Sequence, residues 1–290
     1  MNVIRARYLG MCFGVRDAIR LALQLPADPP VTILGDLVHN EFVLDRLRHR
    51  GIRSASTLEA VATPVVMITA HGASERVLCR ARQGGFEVLE ATCPLVRFAH
   101  RAAQELVRQG FRLLIVGQAD HVEVRGITED IESCDVILDA EDVERLEEHP
   151  RWGVISQTTQ PVDRVLDRIE RLRQRFPGSE VRWIDTVCRP TRQRQLAALE
   201  LARRADVVIV AGGRHSNNTR ELAATCRRWC PRVHAVQTAD DLDPAWLEGA
   251  STVGLTAGTS TPDEIIDGVE ARLRRLARAD SPARMAALAR

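Results

Sequence analysis

The chain has 290 residues, with 40 lysines and arginines against 39 aspartates and glutamates and a formal net charge of +1. That balance, with only 4% aromatic residues, excludes a global nucleic-acid footprint and a base-stacking face. No apolar run approaches the ~18 residues that a membrane-spanning helix needs and no apolar leader is read, so a cytoplasmic protein is expected.

Strand and helix patterns alternate along the whole chain. Residues 1–8 read as a strand and 15–25 as a helix with Val15, Ala18, Ile19 and Ala22 on one face. Strand 31–35, helix 41–50, strand 65–69, helix 74–83 and strand 86–89 follow, the last after the Gly84-Gly85 turn. The middle of the chain repeats the theme with helix 95–109, strands 111–116 and 135–138, helix 141–147, strand 153–155, helix 161–175 and strand 181–184. The last third offers helix 190–204, strand 206–210, helix 218–229, strands 232–236 and 252–256, and helix 262–277. Residues 279–290 read as a fraying tail. Such alternation implies parallel sheets with crossover helices.

Three cysteines punctuate this pattern. Cys93 lies between an apolar strand and Pro94, a residue suited to the first helical position. A cysteine there sits beside free N–H groups that favour a thiolate. It could be a nucleophile, a metal ligand or a packing residue. Cys12 and Cys188 occupy similar strand-to-helix junctions, 81 residues before and 95 residues after Cys93. A histidine follows each at nearly constant distance: His39 after 27 residues, His121 after 28 and His215 after 27. The chain thus divides into α/β units at 1–92, 93–187 and 188–278, with the tail at 279–290. Seven cysteines in a cytoplasmic chain point to ligands or free thiols rather than disulfides.

Ligands of parallel sheets gather at the carboxyl ends of strands, where the three cysteines, His39, His71, His121, Thr158 and Ser216 all fall. Three thiolates around one cavity suit an iron–sulfur cluster better than a structural zinc, which usually draws on close cysteine pairs. Histidines, hydroxyls and Asn218 nearby suit an anionic, phosphate-bearing substrate. Cys226 and Cys230, one turn apart on a helix, read as core or surface thiols, and Cys79 and Cys134 as packing. His49, His100, His149 and His234 read as bystanders without partners.

At these residues the sequence resembles the 4-hydroxy-3-methylbut-2-enyl diphosphate reductase family. The resemblance is carried by Gly10-Met11-Cys12-Phe13-Gly14-Val15, Val38-His39-Asn40, Ala70-His71-Gly72 and Ala91-Thr92-Cys93-Pro94-Leu95-Val96. It continues through His121-Val122-Glu123-Val124, Gln157-Thr158-Thr159, Asp185-Thr186-Val187-Cys188, Ser216-Asn217-Asn218 and Thr256-Ala257-Gly258-Thr259-Ser260. Together these span roughly residues 1–277. The resemblance implies a trefoil of three α/β units around a 4Fe–4S cluster held by Cys12, Cys93 and Cys188. It implies that His39, His71, His121, Ser216, Asn217, Asn218 and Ser260 bind the substrate diphosphate. Glu123 would deliver protons, with Thr158 beside it near the substrate hydroxyl. The family removes that hydroxyl reductively, to isopentenyl and dimethylallyl diphosphates, with electrons from a ferredoxin or flavodoxin.

Departures from the family pattern stand at Phe13, Gln118, Val122, Ile127 and Arg189-Pro190. They keep a paralogue acting on another allylic diphosphate in play. A non-catalytic iron–sulfur sensor would need the cysteines but not His39, His71, His121 and Glu123 together.

Overall fold

A computed structural model of the chain describes residues 1–26 and 28–288. In chain order the elements are β1 (Asn2–Arg5), α1 (Phe13–Gln24), β2 (Val31–Leu34), α2 (Glu41–His49), β3 (Arg53–Ala55), β4 (Val65–Ile68), α3 (Glu75–Gln83) and β5 (Glu87–Glu90). Next come α4 (Pro94–Arg108), β6 (Arg112–Val116), α5 (Val122–Thr128), β7 (Cys134–Ile137), α6 (Ala140–Val143), β8 (Arg151–Ser156), α7 (Val162–Arg175) and β9 (Glu180–Trp183). The chain ends with α8 (Arg189–Ala202), β10 (Val207–Ala211), α9 (Asn217–Arg227), β11 (Val233–Val236), β12 (Thr252–Ala257) and α10 (Asp263–Leu288).

The architecture is α/β, with three four-stranded sheets paired in parallel throughout, as the alternation predicts. Their orders are β3-β2-β4-β5, β7-β6-β8-β9 and β11-β10-β12-β1. The same plan recurs in each. The first strand after the cysteine-led helix stands second, the next takes one edge, and the strand that leads to a cysteine takes the other edge. In the third sheet that last place is filled by β1, from the opposite end of the chain. Sequence reading found every element except β3 and α5, and its helix boundary at 277 is short of the end of α10 at Leu288. The expected fraying tail ends in residues outside those described.

By contacts the chain gathers into two compact units. One comprises Met1–Phe13, His39–Glu41 and Arg189–Arg290; the other comprises Gly14–Val38 and Phe42–Cys188. In the first, Val207, Ile209 and Ala211 pack with Val269 and Leu273 of α10, while Val208 and Val210 pack with Ala198, Leu201 and Leu222 of α8 and α9. This period-2 alternation with both faces buried marks a sheet covered on each side by helices. The second unit repeats it: Leu114 and Val116 face Val165, Ile169 and Leu172 of α7, and Leu113 and Ile115 face Ala99, Ala103 and Leu106 of α4. Within each unit, glycine secures a close approach of helix to strand, α4 to β8 and α8 to β12. A Cβ on Gly153 would meet Leu106 Cβ at 2.9 Å, and one on Gly254 would meet Leu201 Cγ at 2.7 Å.

Candidate active site

All three predicted ligand cysteines end a sheet ladder and start a helix. The Cys12 N–H donates to Thr259 O (3.0 Å), that of Cys93 to Ala70 O (3.1 Å) and that of Cys188 to Thr158 O (3.0 Å). Each acceptor lies two residues past the end of the neighbouring strand, β12, β4 or β8. Helices α1, α4 and α8 begin at the very next residue. Cys93 is the N-cap of α4 with Pro94 in its first turn, so the proline's missing N–H costs nothing there. None of the three is in a disulfide, and all are half-buried. The other cysteines divide differently. Cys226 and Cys230 are buried in the packing of α8 and α9, and burial, then the neighbouring Cys230, pushes the Cys226 thiol up to about 12. Cys134 is half-buried, but Cys79 is exposed rather than packed, because it faces outward from α3.

In the second unit, His71, His121, Glu123 and Thr158 come together. Glu123 is 1% exposed. It accepts the Thr158 N–H at Oε1 (2.6 Å) and the Thr158 hydroxyl at Oε2 (2.9 Å). Burial pushes its carboxyl up to about 7, and the two Thr158 bonds pull the other way. The group is therefore poised to hold or release a proton near neutrality. Glu123 lies on α5, whose N-cap is His121. The His121 Nδ1 accepts the Glu123 N–H at 3.2 Å, so a neutral His121 carries its proton on Nε2. The His71 and His121 rings stand edge to face at 5.7 Å.

The first unit holds the remaining predicted residues. Ser216 caps α9, its Oγ accepting the Thr219 N–H at 3.3 Å. Asn217 and Asn218 are buried in the first turn, and Asn218 Oδ1 accepts the Thr259 N–H at 2.9 Å. The Ser260 hydroxyl donates to His39 O at 3.2 Å. A Cβ on Gly213 would stand 2.5 Å from that same oxygen, so glycine is required for the approach. The Cys12 amide and the Asn218 side chain thus meet the same residue, Thr259, from its two ends.

Repeat geometry corrects one expectation. Gly35, Gly117 and Gly212 donate equivalent bonds to Ala55 O, Ile137 O and Val236 O at 2.7, 2.8 and 2.8 Å. Four residues on stand His39, His121 and Ser216, so Ser216, not the exposed His215, is the third member of that set. Sequence reading slipped by one because it ended the strand at Val210, while β10 continues to Ala211. The bystander histidines also have neighbours: His234 stacks on Trp246 at 4.2 Å and His149 lies edge-on to Trp152 at 5.8 Å. Among the departures, Phe13 is 47% exposed, Ile127 is buried in the α4–α5 packing, and the Gln118 N–H is held by Gln157 Oε1 at 3.1 Å.

Sequence reading missed Arg194. It is 7% exposed and donates from Nε to Gly10 O (2.7 Å) and from Nη2 to Met11 O (3.1 Å). It sits in the polar run Thr191-Arg192-Gln193-Arg194-Gln195, where nothing separates it from its neighbours. It also missed Gly14, where a Cβ would lie 2.5 Å from Cys93 Sγ.

Among the described residues, no three His, Cys, Asp or Glu side chains stand close enough to share one metal ion, and no helix is long and apolar enough to cross a membrane. A family model described as LytB protein matches residues 3–274. A 4-hydroxy-3-methylbut-2-enyl diphosphate reductase of Pelobacter propionicus is 38% identical over 275 residues, covering 94% of this chain and 98% of that protein. A solved structure of (E)-4-hydroxy-3-methyl-but-2-enyl diphosphate reductase, the terminal enzyme of the non-mevalonate pathway, superposes with a TM-score of 0.67 at 33% identity, covering 95% of this chain and all of that one. A solved structure of E-1-hydroxy-2-methyl-but-2-enyl-4-diphosphate reductase from Plasmodium falciparum superposes with a TM-score of 0.85 at 26% identity, covering 92% of this chain and 86% of that one.

Proposed function

Since the chain belongs to the LytB family of 4-hydroxy-3-methylbut-2-enyl diphosphate reductases, we propose that it removes the allylic hydroxyl of that diphosphate reductively, giving isopentenyl and dimethylallyl diphosphates. The balance is two electrons and two protons taken up and one water released, one proton going to the leaving oxygen and one to carbon. The observation that carries this reading is Glu123: a buried carboxyl, held by Thr158, whose proton affinity lies near neutrality.

In this reading Cys12, Cys93 and Cys188 hold a 4Fe–4S cluster. The donor set fits such a group. The three cysteines are outside any disulfide, stand at the same place in three repeats, and have backbone N–H groups that are already hydrogen-bonded. Gly14 leaves the space that Cys93 Sγ needs. Each of the three cysteines would supply one thiolate to such a cluster. When bound, the cluster would supply electrons singly from a ferredoxin or flavodoxin and an open iron as Lewis acid.

The protein's own side chains do the rest. His39, His71, His121, Ser216, Asn217, Asn218 and Ser260 hold the diphosphate. Asn218 suits this role because its Oδ1 is committed to the Thr259 N–H, leaving the Nδ2 donors for an anion. Glu123 gives a proton to the leaving hydroxyl, and Thr158 fixes the carboxyl for that transfer. In cells this chemistry is expected in the cytoplasm.

The cluster assignment is tested by anaerobic purification of Cys93→Ser and Cys226→Ser variants, reading absorbance and iron content. Cys93→Ser is expected to lose the brown chromophore and Cys226→Ser to keep it. An intact cluster in Cys93→Ser protein overturns the assignment.

A further inference from the structure

The three cysteine loops are not built alike. Cys93 and Cys188 are reached by simple continuation of a ladder. Ala91 and then Cys93 donate to Ile68 O and Ala70 O, and Ile184 and then Cys188 donate to Val154 O and Thr158 O, one residue for one throughout. Between the latter two, the Thr186 hydroxyl fills the step by donating to Ser156 O at 2.6 Å. Before Cys12 the step fails. Ala6 donates to Leu255 O, but the next bond is from Gly10 to Ala257 O, so four residues on one chain match two on the other. The extra length loops out at Arg7-Tyr8-Leu9, with Tyr8 39% exposed, and Gly10 at φ +72° turns the chain back. A longer loop has more conformational freedom to lose.

Arg194 meets that deficit. Six residues past Cys12, Cys93 and Cys188 stand Ala18, Ala99 and Arg194, all buried. Only the third can reach outward, and its guanidinium bonds the carbonyls of the two residues that precede Cys12. Its third bond, Nη1 to Pro190 O at 3.1 Å, ties it within its own helix. A planar fork with several donors can hold two adjacent carbonyls at once, which an ammonium cannot do in the same way. With the Gly10 and Cys12 N–H groups on β12 and the Gly10 and Met11 carbonyls on Arg194, the loop is fastened on both sides.

We propose that Arg194 is the positioning residue of Cys12, fixing the one ligand loop whose ladder is interrupted by extra residues. The proposal rests on Cys12 being a cluster ligand, but the fastening itself is open to test on metal-free protein. Amide hydrogen exchange is measured on that protein for wild type, Arg194→Met and Arg194→Lys. In Arg194→Met the Cys12 amide is expected to exchange at least about tenfold faster, with the Cys93 and Cys188 amides unchanged. Arg194→Lys is expected to be intermediate, since it keeps the charge but not the fork. After reconstitution, iron content and the cluster's electron paramagnetic resonance signal should follow the same order. An unchanged Cys12 amide, or equal acceleration at all three cysteines, overturns the proposal. If Arg194→Met does not fold, Arg194→Lys decides by the same three-cysteine comparison. Should the Cys12 amide respond as expected while wild type takes up no cluster, the positioning role stands and the cluster reading fails.

Discussion

Two places in the molecule share one geometry and differ in one chemical respect. In the second repeat, Glu123, early in α5, accepts the backbone N–H of Thr158, two residues past β8. In the third repeat, Asn218, early in α9, accepts the backbone N–H of Thr259, two residues past β12. Glu123 and Asn218 each stand six residues beyond the equivalent glycines, Gly117 and Gly212, and each is almost wholly buried. Thr158 and Thr259 each pass their carbonyl to a cysteine N–H, Cys188 and Cys12 respectively. Both thus serve the fold through the same backbone bond, to which Glu123 adds the Thr158 hydroxyl. The amide, however, never titrates, while the carboxyl is pushed by burial to about 7. The same scaffold contact thus carries a group that titrates near neutrality in one repeat and a group that stays neutral in the other. In the first repeat the same N–H, that of Ala70, bonds Leu37 O instead, and the corresponding Glu41 faces outward.

The sharpest way to break this contrast is to make the carboxyl into an amide. Glu123→Gln keeps size and keeps an acceptor for the Thr158 N–H but removes the transferable proton. General acid catalysis typically contributes about two to four orders of magnitude, so turnover with dithionite as reductant should fall about 100-fold or more. Cluster absorbance and diphosphate binding should be retained. A loss below about tenfold would remove Glu123 from the proton path.

The reverse exchange has a smaller expected effect. Asn218→Asp keeps the acceptor for the Thr259 N–H but adds a charge at a position that is 4% exposed. The new carboxyl also replaces two donors that suit an anion. Inorganic diphosphate should bind about tenfold more weakly at pH 8, roughly 1.4 kcal/mol, and recover much of that loss at pH 6 as the carboxyl takes up a proton. Calorimetric titration at both pH values would show it. Equal affinities for variant and wild type would mean that Asn218 does not face the anion.

How much of this was legible in the sequence depends on how far apart the partners lie. The Cys93-Pro94 junction was, because a proline at a first helical position is a local signal. The strands with β-branched runs were, down to a residue or two, except the first, which reads as 1–8 but ends at Arg5 where the chain leaves the ladder. Strand β3, Arg53–Ala55, was not, because an exposed three-residue edge carries no apolar pattern. Helix α5 was not, because seven residues containing Gly126 look like a turn. That glycine is placed where a Cβ would meet His100 Cε1 at 3.4 Å and Ala73 C at 3.5 Å. The Glu123–Thr158 contact joins residues 35 apart and Arg194 reaches back across 184, distances over which no periodicity speaks. Only laying the three repeats side by side, Ala18 against Ala99 against Arg194, could have singled that arginine out.

The smallest and most discriminating change is Thr158→Val, which leaves the backbone N–H on Glu123 Oε1 and removes only the hydroxyl from Oε2. That hydroxyl favours the ionised carboxyl, so its loss should raise the proton affinity of Glu123 further. If Glu123 is the acid, wild-type turnover falls as pH rises through about 7, and in the variant that alkaline limb moves upward. Stability follows with a defined sign. A carboxyl whose folded value lies near 7 and whose ordinary value is 4.5 holds its proton more tightly in the folded state. Its contribution is therefore full below about 4.5, declines as pH rises toward 7, and is lost above it. At about 1.4 kcal/mol per unit, the decline is on the order of 3 kcal/mol. Thr158→Val should lose about 1 kcal/mol through the missing bond, less where the carboxyl is neutral and more where it is charged. Denaturant melts at pH 5 and pH 8 should thus separate variant from wild type more widely at pH 8. Asn218 has no such limb, and Thr259→Val, which keeps the backbone groups that bond Asn218 and Cys12, should leave the pH dependence of both turnover and stability where it was. An alkaline limb that stays in place, or moves down, in Thr158→Val would mean that some group other than Glu123 sets it.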